Sequence, residues 1–279
     1  PNLSMRSLKD SPIGLLDSGM GGISIWAEIV RQLPCEEVVY WADTAHCPYG
    51  GRSREEITAL VRKGVEVLLG EGVKLIVIAC NTATTAAIAT LRAEWPEVLF
   101  VGLEPAVKPA AQATRSGVVG VLGTAYTVNS EMFRQTTERY ATGIGVRVIA
   151  TAGNGLVEAV ETGCEDTPQT EQLLHRYIEP MLEAGADELV LACTHFPLLR
   201  PAIRRVIGGR KMRVIDPAAA IARHTAELLR EHGWQTDRTS IGRSRFMGSG
   251  SAEEIERLRA RAERYRTQYA DEQTEVTEA

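Results

Sequence analysis

The sequence predicts an α/β fold of two pseudosymmetric domains, each with a mostly parallel central sheet flanked by helices, and an active site in the interdomain cleft. Short β-branched runs alternate with longer amphipathic segments, the pattern of a parallel sheet covered by helices. A faint internal repeat relates PIGLLDSG at 12–19 to VVGVLGTA at 118–125, and KLIVIACNT at 74–82 to ELVLACTHF at 188–196. Both offsets are about a hundred residues, which indicates two related halves.

Strands are predicted wherever a short apolar run stands between turn residues or charged segments. In chain order these runs are PIGLL, EEVVYWA, VKLIVIA, VLFVGL, GVVGVLG, GVRVIAT, DELVLA, MRVID and, more weakly, SRFMG.

Two helices carry clear start signals. Ser53 and Glu56 form a capping-box pattern ahead of an amphipathic segment that runs to residue 70. Ser251 and Glu254 repeat the pattern before the charged segment AEEIERLRARAERY. We expect this C-terminal part to add stability or contacts and no chemistry.

The cysteines divide into two groups. Cys35, Cys47 and Cys164 are expected to be small buried residues without a chemical role. Cys80 and Cys193 each close a predicted strand and are followed by hydrogen-bonding residues. A helix N-terminus after each would favour a thiolate or a bound carboxylate. Ligands of open α/β sheets bind beyond the carboxyl ends of the strands, so facing halves would bring both thiols to one cleft.

Thiols on opposite faces of a substrate suit racemisation or epimerisation. A thiolate base can take a proton from one face of a carbon while a thiol acid returns one to the other face. The alternative, a redox disulfide between Cys80 and Cys193, lacks the CxxC context and is less favoured.

The glycine-rich turn DSGMGG at 17–22 follows the first strand but completes neither common nucleotide-binding pattern. It is either a plain strand-to-helix turn or a place where backbone N–H groups reach a substrate carboxylate. In the second interpretation Asp17 orients or assists the nearby thiol.

The segment ADTAHCPYGGRS at 42–53 is predicted to be a loop at the mouth of the cleft. Its Tyr49 and Gly50 are candidates for holding a substrate. His46 and Cys47 are adjacent and lack further spaced partners, which makes a poor tetrahedral metal set, so no metal site is predicted.

His195 follows Cys193 closely and is either a structural hydrogen bonder or a group that steers a proton between sulfur and substrate. Glu161 is a candidate for the carboxylate that fixes the histidine tautomer, although spacing alone does not select it.

Composition narrows the class of protein. The net charge of −5 over 279 residues argues against an extended basic surface that binds nucleic acid or anionic lipid. The sequence has no run of about 18 apolar residues, and its first ten residues lack the apolar core of a signal peptide. The odd number of cysteines indicates free thiols, so we expect a cytoplasmic protein that enters no membrane. No lysine lies within the cleft motifs, which argues against a pyridoxal cofactor.

DSGMGG, ADTAHCPYG, IACNTA and LACTHFPLL, in that order, resemble the glutamate racemases, which supply D-glutamate for bacterial peptidoglycan without a cofactor. The likeness covers roughly residues 12–230. It implies a first domain of 1–105 plus 216–279 and an inserted second domain of 106–215. A homodimer remains an open expectation.

By the same resemblance, Cys80 would deprotonate D-glutamate and Cys193 L-glutamate, with Asp17 assisting Cys80 and His195 assisting Cys193. The positions carried over as substrate contacts are Asp17, Ser18, Tyr49, Gly50, Asn81, Thr82, Thr194 and His195.

Two alternatives remain. An aspartate or hydantoin racemase would keep the mechanism and change the side-chain pocket. A carboxylate-binding protein would keep the scaffold and lack turnover, although binding alone needs no paired thiols.

Overall fold

The computed structural model describes residues 8–277, with side chains as far as residue 268. All the predicted strands are confirmed. They are β1 (Ile13–Asp17), β2 (Val38–Ala42), β3 (Leu75–Ile78), β4 (Phe100–Gly102), β5 (Val118–Gly123), β6 (Arg147–Ala152), β7 (Glu188–Ala192), β8 (Arg213–Ile215) and β9 (Ser244–Gly248). Strands β1 and β6 each extend one residue beyond the run that predicted them, and the others lie within theirs.

Helices separate the strands, as the alternation of patterns predicts. They are α1 (Ile23–Gln32), α2 (Arg54–Gly70), α3 (Asn81–Glu94), α4 (Val107–Ala113), α5 (Ala125–Val128), α6 (Glu131–Tyr140), α7 (Leu156–Glu161), α8 (Pro168–Glu183), α9 (Arg200–Ile207), α10 (Ala218–Glu231) and α11 (Ala252–Thr277). Both predicted capping boxes form, at the start of α2 and before α11.

The strands form two sheets whose pairings are parallel. The first has the order β4-β3-β1-β2-β9 and the second the order β6-β5-β7-β8. In the first sheet the chain passes from β1 to β2 on one side and then returns to form β3 on the other side of β1. In the second sheet it passes from β5 to β6 and then returns to form β7 on the other side of β5. Such a reversal opens a crevice at the carboxyl ends of the two strands involved. The crevices therefore lie at β1/β3 and at β5/β7, where Cys80 and Cys193 follow the strands.

Burial explains why these runs become central strands. β1, β3 and β7 are buried along their whole length, as expected for strands covered by helices on both faces. The apolar stripe of α2, which includes Ile57, Val61 and Val65, packs in a core cluster with the first sheet. The predicted fold of helix-flanked parallel sheets is confirmed.

The C-terminal part of the chain completes the first sheet. β9 pairs with β2 as an edge strand, and Phe246 packs against Trp26 and Tyr40 with ring centroids 5.4 and 5.5 Å apart. Leu258 of α11 is buried in the same core cluster. This agrees with the stabilising role predicted for the segment.

The first sheet takes its strands from 13–102 and 244–248, and the second from 118–215. This division supports the predicted domain boundaries, which stay a prediction. Residues 1–7 and 278–279, which belong to the predicted first domain, lie outside the described residues, as does most of the stretch searched for a signal peptide. Among the described residues, we find no helix with the length and apolar character needed to cross a bilayer.

Candidate active site

Cys80 lies between the end of β3 and the start of α3. It is the N-cap residue of that helix, and its sulfur accepts a hydrogen bond from the Ala83 backbone N–H at 3.4 Å. The Sγ is 3.8 Å from the Ser18 hydroxyl oxygen, and the residue is buried. Burial raises the pKa of the Cys80 thiol, and the nearby carboxylate of Asp17 raises it further. The helix N-terminus predicted after this cysteine is present.

Cys193 follows the buried strand β7 in the second sheet. Its Sγ lies 3.9 Å from Nδ1 of His195, and the residue is 6% exposed. The helix N-terminus expected after Cys193 is replaced by a short 3-10 turn, Phe196–Leu199, which leads into α9. Pro197 favours this tight turn, because it removes one backbone donor and fixes φ. A helix dipole therefore does not act on Cys193 as it does on Cys80.

Both cysteines line one small cavity between the carboxyl ends of the two sheets. Its free space is only about 10 Å³, comparable to the space of a single water molecule. It is lined by Ser18, Pro48, Tyr49, Gly50, Cys80, Asn81, Thr82, Thr124, Val157, Cys193, Thr194 and His195.

Asn81 points an unpaired amide into the protein beside this cavity. Among the described residues, neither its Oδ1 nor its Nδ2 has a hydrogen-bond partner, although the side chain is buried. Buried amides are almost always paired, so an unpaired one on a cavity wall indicates contact with water or a ligand.

Thr82 and Thr124 join the two halves across the cavity. Their hydroxyl oxygens are 2.9 Å apart, and Thr124 caps α5 in the second half. Sequence reasoning missed Thr124. The internal repeat contains the signal that could have found it, because Thr124 in VVGVLGTA corresponds to Ser18 in PIGLLDSG.

Asp17 ends β1 and organises the glycine-rich turn. Its Oδ2 accepts hydrogen bonds from the N–H groups of Gly19 and Gly22, each at 3.1 Å. The N–H of Met20 donates to Glu161 at 2.9 Å. The N–H groups of Gly19, Met20 and Gly22 therefore donate to carboxylates of the protein itself. The interpretation that these N–H groups hold a substrate carboxylate is wrong. Burial raises the pKa of Asp17 and outweighs the opposing effects of His195 and the backbone donors.

Gly21 allows the close approach of the two halves. A Cβ at this position would lie 2.4 Å from Nδ1 of His195 and 2.6 Å from Oγ1 of Thr194. A side chain there would separate the halves. Thr194 also places its hydroxyl 3.5 Å from Oδ1 of Asp17, which adds a polar contact between them.

The buried His195 pairs with Glu161, which is half-buried. Nε2 of His195 is 2.6 Å from Oε1 of Glu161, which makes Glu161 the carboxylate that holds the ring. Burial opposes the charge of His195, but hydrogen bonds with the Cys193 and Cys47 sulfurs and with Glu161 outweigh it and hold the pKa of His195 well above its usual value. Burial likewise opposes the charge of Glu161, yet the pairing with His195 lowers its pKa.

Cys47 joins this pair from the loop after β2. Its Sγ lies 3.5 Å from Oε1 of Glu161, and the ligand-type atoms of Cys47, Glu161 and His195 all lie within 4.8 Å of one another. The expectation of a small buried hydrophobic residue is therefore wrong for Cys47, which is half-buried and has polar neighbours, and Cys35 and Cys164 are also only half-buried. Burial raises the pKa of its thiol to about 11.

Tyr49 and Gly50, which are predicted to hold a substrate, line the cavity, but the Tyr49 hydroxyl is already engaged. It donates to Oδ2 of Asp43 at 2.7 Å, and Oδ1 of the same carboxylate lies 2.7 Å from Nδ1 of His46. Burial and the Asp43 charge raise the pKa of Tyr49. Because its proton is donated to Asp43, the Tyr49 hydroxyl can offer a ligand only an acceptor oxygen, besides the contacts of its ring and backbone.

Comparisons with known proteins give consistent matches over most of the chain. The pattern of the Asp/Glu/Hydantoin racemase family matches residues 13–225. A curated glutamate racemase from Herpetosiphon aurantiacus is 44% identical over 252 residues, covering 90% of this chain and 98% of the relative. The structure is similar to that of a glutamate racemase isoform from Bacillus anthracis, with a TM-score of 0.80, 34% identity, and coverage of 91% and 94% of the two chains. The glutamate racemase of Escherichia coli, crystallised with L-glutamate and the activator UDP-MurNAc-ala, gives 0.78 at 33% identity, covering 90% and 95%.

Proposed function

Because this chain belongs to the Asp/Glu/hydantoin racemase family, we propose that its cleft interconverts L- and D-glutamate by proton transfer through Cys80 and Cys193. The enzyme is an amino-acid racemase, and the D-glutamate that it forms supplies peptidoglycan synthesis. The observation that carries the two-thiol mechanism is that both sulfur-bearing residues line one small cavity.

Each thiol takes one role in each direction. With L-glutamate, Cys193 removes the α-proton as a thiolate, and the Cys80 thiol protonates the opposite face. With D-glutamate the roles reverse. His195 steers the proton at Cys193, supported by its 3.9 Å contact with the sulfur, and Asp17 does so from the Cys80 side.

The raised pKa of Cys80 makes the free thiolate unfavourable in the closed site. The substrate relieves this cost, because its ammonium group brings a positive charge that favours a nearby thiolate. The base is therefore formed mainly when substrate is bound.

The carbanion-like state needs fixed hydrogen-bond donors, since a proton next to a carboxylate is very weakly acidic. Asn81 is the strongest candidate, because its buried amide has no partner among the described residues. Ser18, Thr82 and Thr194 add hydroxyl groups around the same site, and all three residues are buried.

Substrate entry requires the two halves to separate. Free space of about 10 Å³ cannot accept an amino acid. Opening would break the Thr82–Thr124 contact and the contacts of the DSGMGG turn with the second half, and closure would then exclude water from the reaction.

A heavy-water experiment tests this function. The wild-type protein incubated with either pure enantiomer should racemise glutamate and incorporate deuterium at the α-carbon. Cys80→Ala and Cys193→Ala should each lose at least about 10²–10⁴-fold in rate, the range typical for a general acid or base. Cys164→Ala is the matched control and should retain wild-type activity.

The same experiment separates the alternatives. Turnover of aspartate or a hydantoin with none of glutamate would reject the substrate proposed here. Tight glutamate binding without deuterium exchange would identify a binding protein. Activity unaffected by loss of either cysteine would reject the two-thiol mechanism.

We also place the enzyme in the cytoplasm, where its five free cysteines would remain reduced. Its partner in the reaction is the small-molecule substrate. A homodimer stays a prediction.

A further inference from the structure

The cluster of Cys47, Glu161 and His195 combines a sulfur, a carboxylate oxygen and an imidazole nitrogen. Oε1 of Glu161 lies 3.5 Å from Sγ of Cys47 and 2.6 Å from Nε2 of His195. All three atoms lie within 4.8 Å of one another. These are the ligand types that zinc takes in proteins.

The spacing is close to that of a tetrahedral zinc site. With metal–ligand distances of about 2.0–2.3 Å, neighbouring ligand atoms lie about 3.3–3.6 Å apart. The sulfur–oxygen separation of 3.5 Å already falls in this range. The nitrogen and oxygen, now 2.6 Å apart in a hydrogen bond, need to part by less than about 1 Å.

An access route reaches the cluster from the side opposite the thiols. Cys47 and Glu161 line a cavity of about 740 Å³ between α11 and the second half of the chain. Glu158 and Glu254 line the same space, and so do Arg257, Arg261 and Arg264, of which Arg261 pairs with Glu165. The cavity therefore supplies a way in for the ion, and the attraction for a cation comes from the cluster itself.

We propose that Cys47, Glu161 and His195 form an inhibitory Zn²⁺ site, with water as the fourth ligand. The ion would bind the thiolate, the carboxylate and the neutral imidazole, and it would release the thiol proton and the proton shared by His195 and Glu161. His46 is not a ligand, because its Nδ1 is bonded to Asp43. The inhibitory effect rests on the proposed racemase function, whereas the binding itself does not.

Inhibition follows from where the ligands come from. Cys47 belongs to the loop after β2 in the first sheet, and the other two belong to the half that carries the second sheet. A bound ion therefore links the two halves and opposes the opening that substrate entry requires. The ion also occupies Nε2 of His195, the residue proposed to steer the proton at Cys193.

Zinc binding is tested with Zn²⁺ in competition with a chromogenic chelator. The wild-type protein, Cys164→Ser and Cys80→Ser should bind one ion with similar affinity. Loss of a residue that only supports a ligand costs about 10- to 100-fold in metal affinity, so Cys47→Ser should weaken binding at least as much. Cys47→Ala serves as a second variant, and circular dichroism checks that both fold.

Activity assays complete the test. Zinc should inhibit the wild-type enzyme and Cys164→Ser, with recovery on adding EDTA, while whatever activity Cys47→Ser retains should resist the same zinc concentration. Zinc binding that survives in both Cys47 variants, or that is lost in Cys80→Ser, would overturn the proposal, as would a wild-type protein that binds none. Binding in the inactive Cys80→Ser separates this outcome from a failure of the racemase proposal, which only the deuterium exchange decides.

Discussion

Asn81 lies in the first turn of α3 with a buried amide that has no partner among the described residues. Replacing it by alanine removes no intramolecular hydrogen bond, so the free energy of unfolding should change by less than about 1 kcal/mol. The same change removes a donor from the carbanion-like state, so kcat should fall at least about tenfold. Urea unfolding and racemisation kinetics on Asn81→Ala measure the two effects.

Thr84, on the same helix, provides the control for Asn81. Its hydroxyl donates to the Ile78 carbonyl and accepts from the Leu103 N–H. Thr84→Val should therefore lower stability and leave kcat nearly unchanged, which is the opposite pattern. A large loss of stability in Asn81→Ala with unchanged kcat would show that the amide is structural.

The Glu161–His195 pair makes stability depend on pH. His195 has a raised folded-state pKa, so its contribution is complete below its unfolded-state pKa and is lost as pH rises through the folded-state value. Glu161 has a lowered folded-state pKa, so its contribution is complete above its unfolded-state pKa and is lost as pH falls through the folded-state value. The pair therefore stabilises most between about pH 4.3 and 6.5, the unfolded-state values of the two groups.

Glu161→Gln should lose about 1–3 kcal/mol of unfolding free energy in that window, as expected for a hydrogen bond to a charged group. The deficit should shrink toward alkaline pH, where His195 gives up its proton. Urea unfolding over a pH series measures it, with Glu158→Gln as the control, since that exposed carboxylate lies on the same helix. A deficit that does not vary with pH would contradict the ion pair.

At the scale of elements, the strands could be read from the sequence because each is short, apolar and followed by turn residues. Parallel strands buried on both faces need such runs, so SRFMG was the weakest prediction, and β9 is indeed an edge strand that is only partly buried. The short 3-10 turn after Cys193 was not predicted. The same apolar and proline residues could have begun a helix, and the distinction depends on tertiary packing.

The edge strand β9 should carry much of the stabilising effect of the C-terminal segment. Phe246→Ala removes the ring contacts with Trp26 and Tyr40 and should cost about 3 kcal/mol of unfolding free energy. Ile241→Ala, at a side chain that is 81% exposed, should change stability by less than about 0.5 kcal/mol. Thermal and urea unfolding compare them. Equal stability of the two variants would mean that the ring contacts of Phe246 do not stabilise the fold.

At the scale of the whole molecule, the sequence predicted most of the residues that face the cleft, with Thr124 among those missed, but not how the two halves touch. The motifs mark strand ends, and strand ends of parallel sheets meet at one edge, so Cys80, Asn81 and Cys193 could be assigned in advance. The contacts Thr82–Thr124, Met20–Glu161 and Cys47–Glu161 depend on the relative orientation of the sheets. Neither the hydrophobic periodicity of the segments nor the spacing of the motifs determines that orientation.

The proposed opening of the halves can be blocked by a designed disulfide. A Cβ at Gly50 would lie 3.3 Å from Cβ of Thr124, slightly less than the usual separation of about 3.5–4.5 Å in a disulfide, so a small shift would permit a bond. The Gly50→Cys, Thr124→Cys double variant should lose most of its activity when oxidised, because the substrate cannot enter a closed cleft, and should regain activity with dithiothreitol.

Each single cysteine variant, oxidised in the same way, controls for direct damage to Cys80 or Cys193. Racemisation followed by circular dichroism before and after reduction gives the readout, and mass spectrometry confirms the bond. If the oxidised double variant turns over glutamate as fast as its reduced form, the halves need not separate during catalysis. Substrate would then have to reach the thiols through local motion of the loop that carries Tyr49 and Gly50.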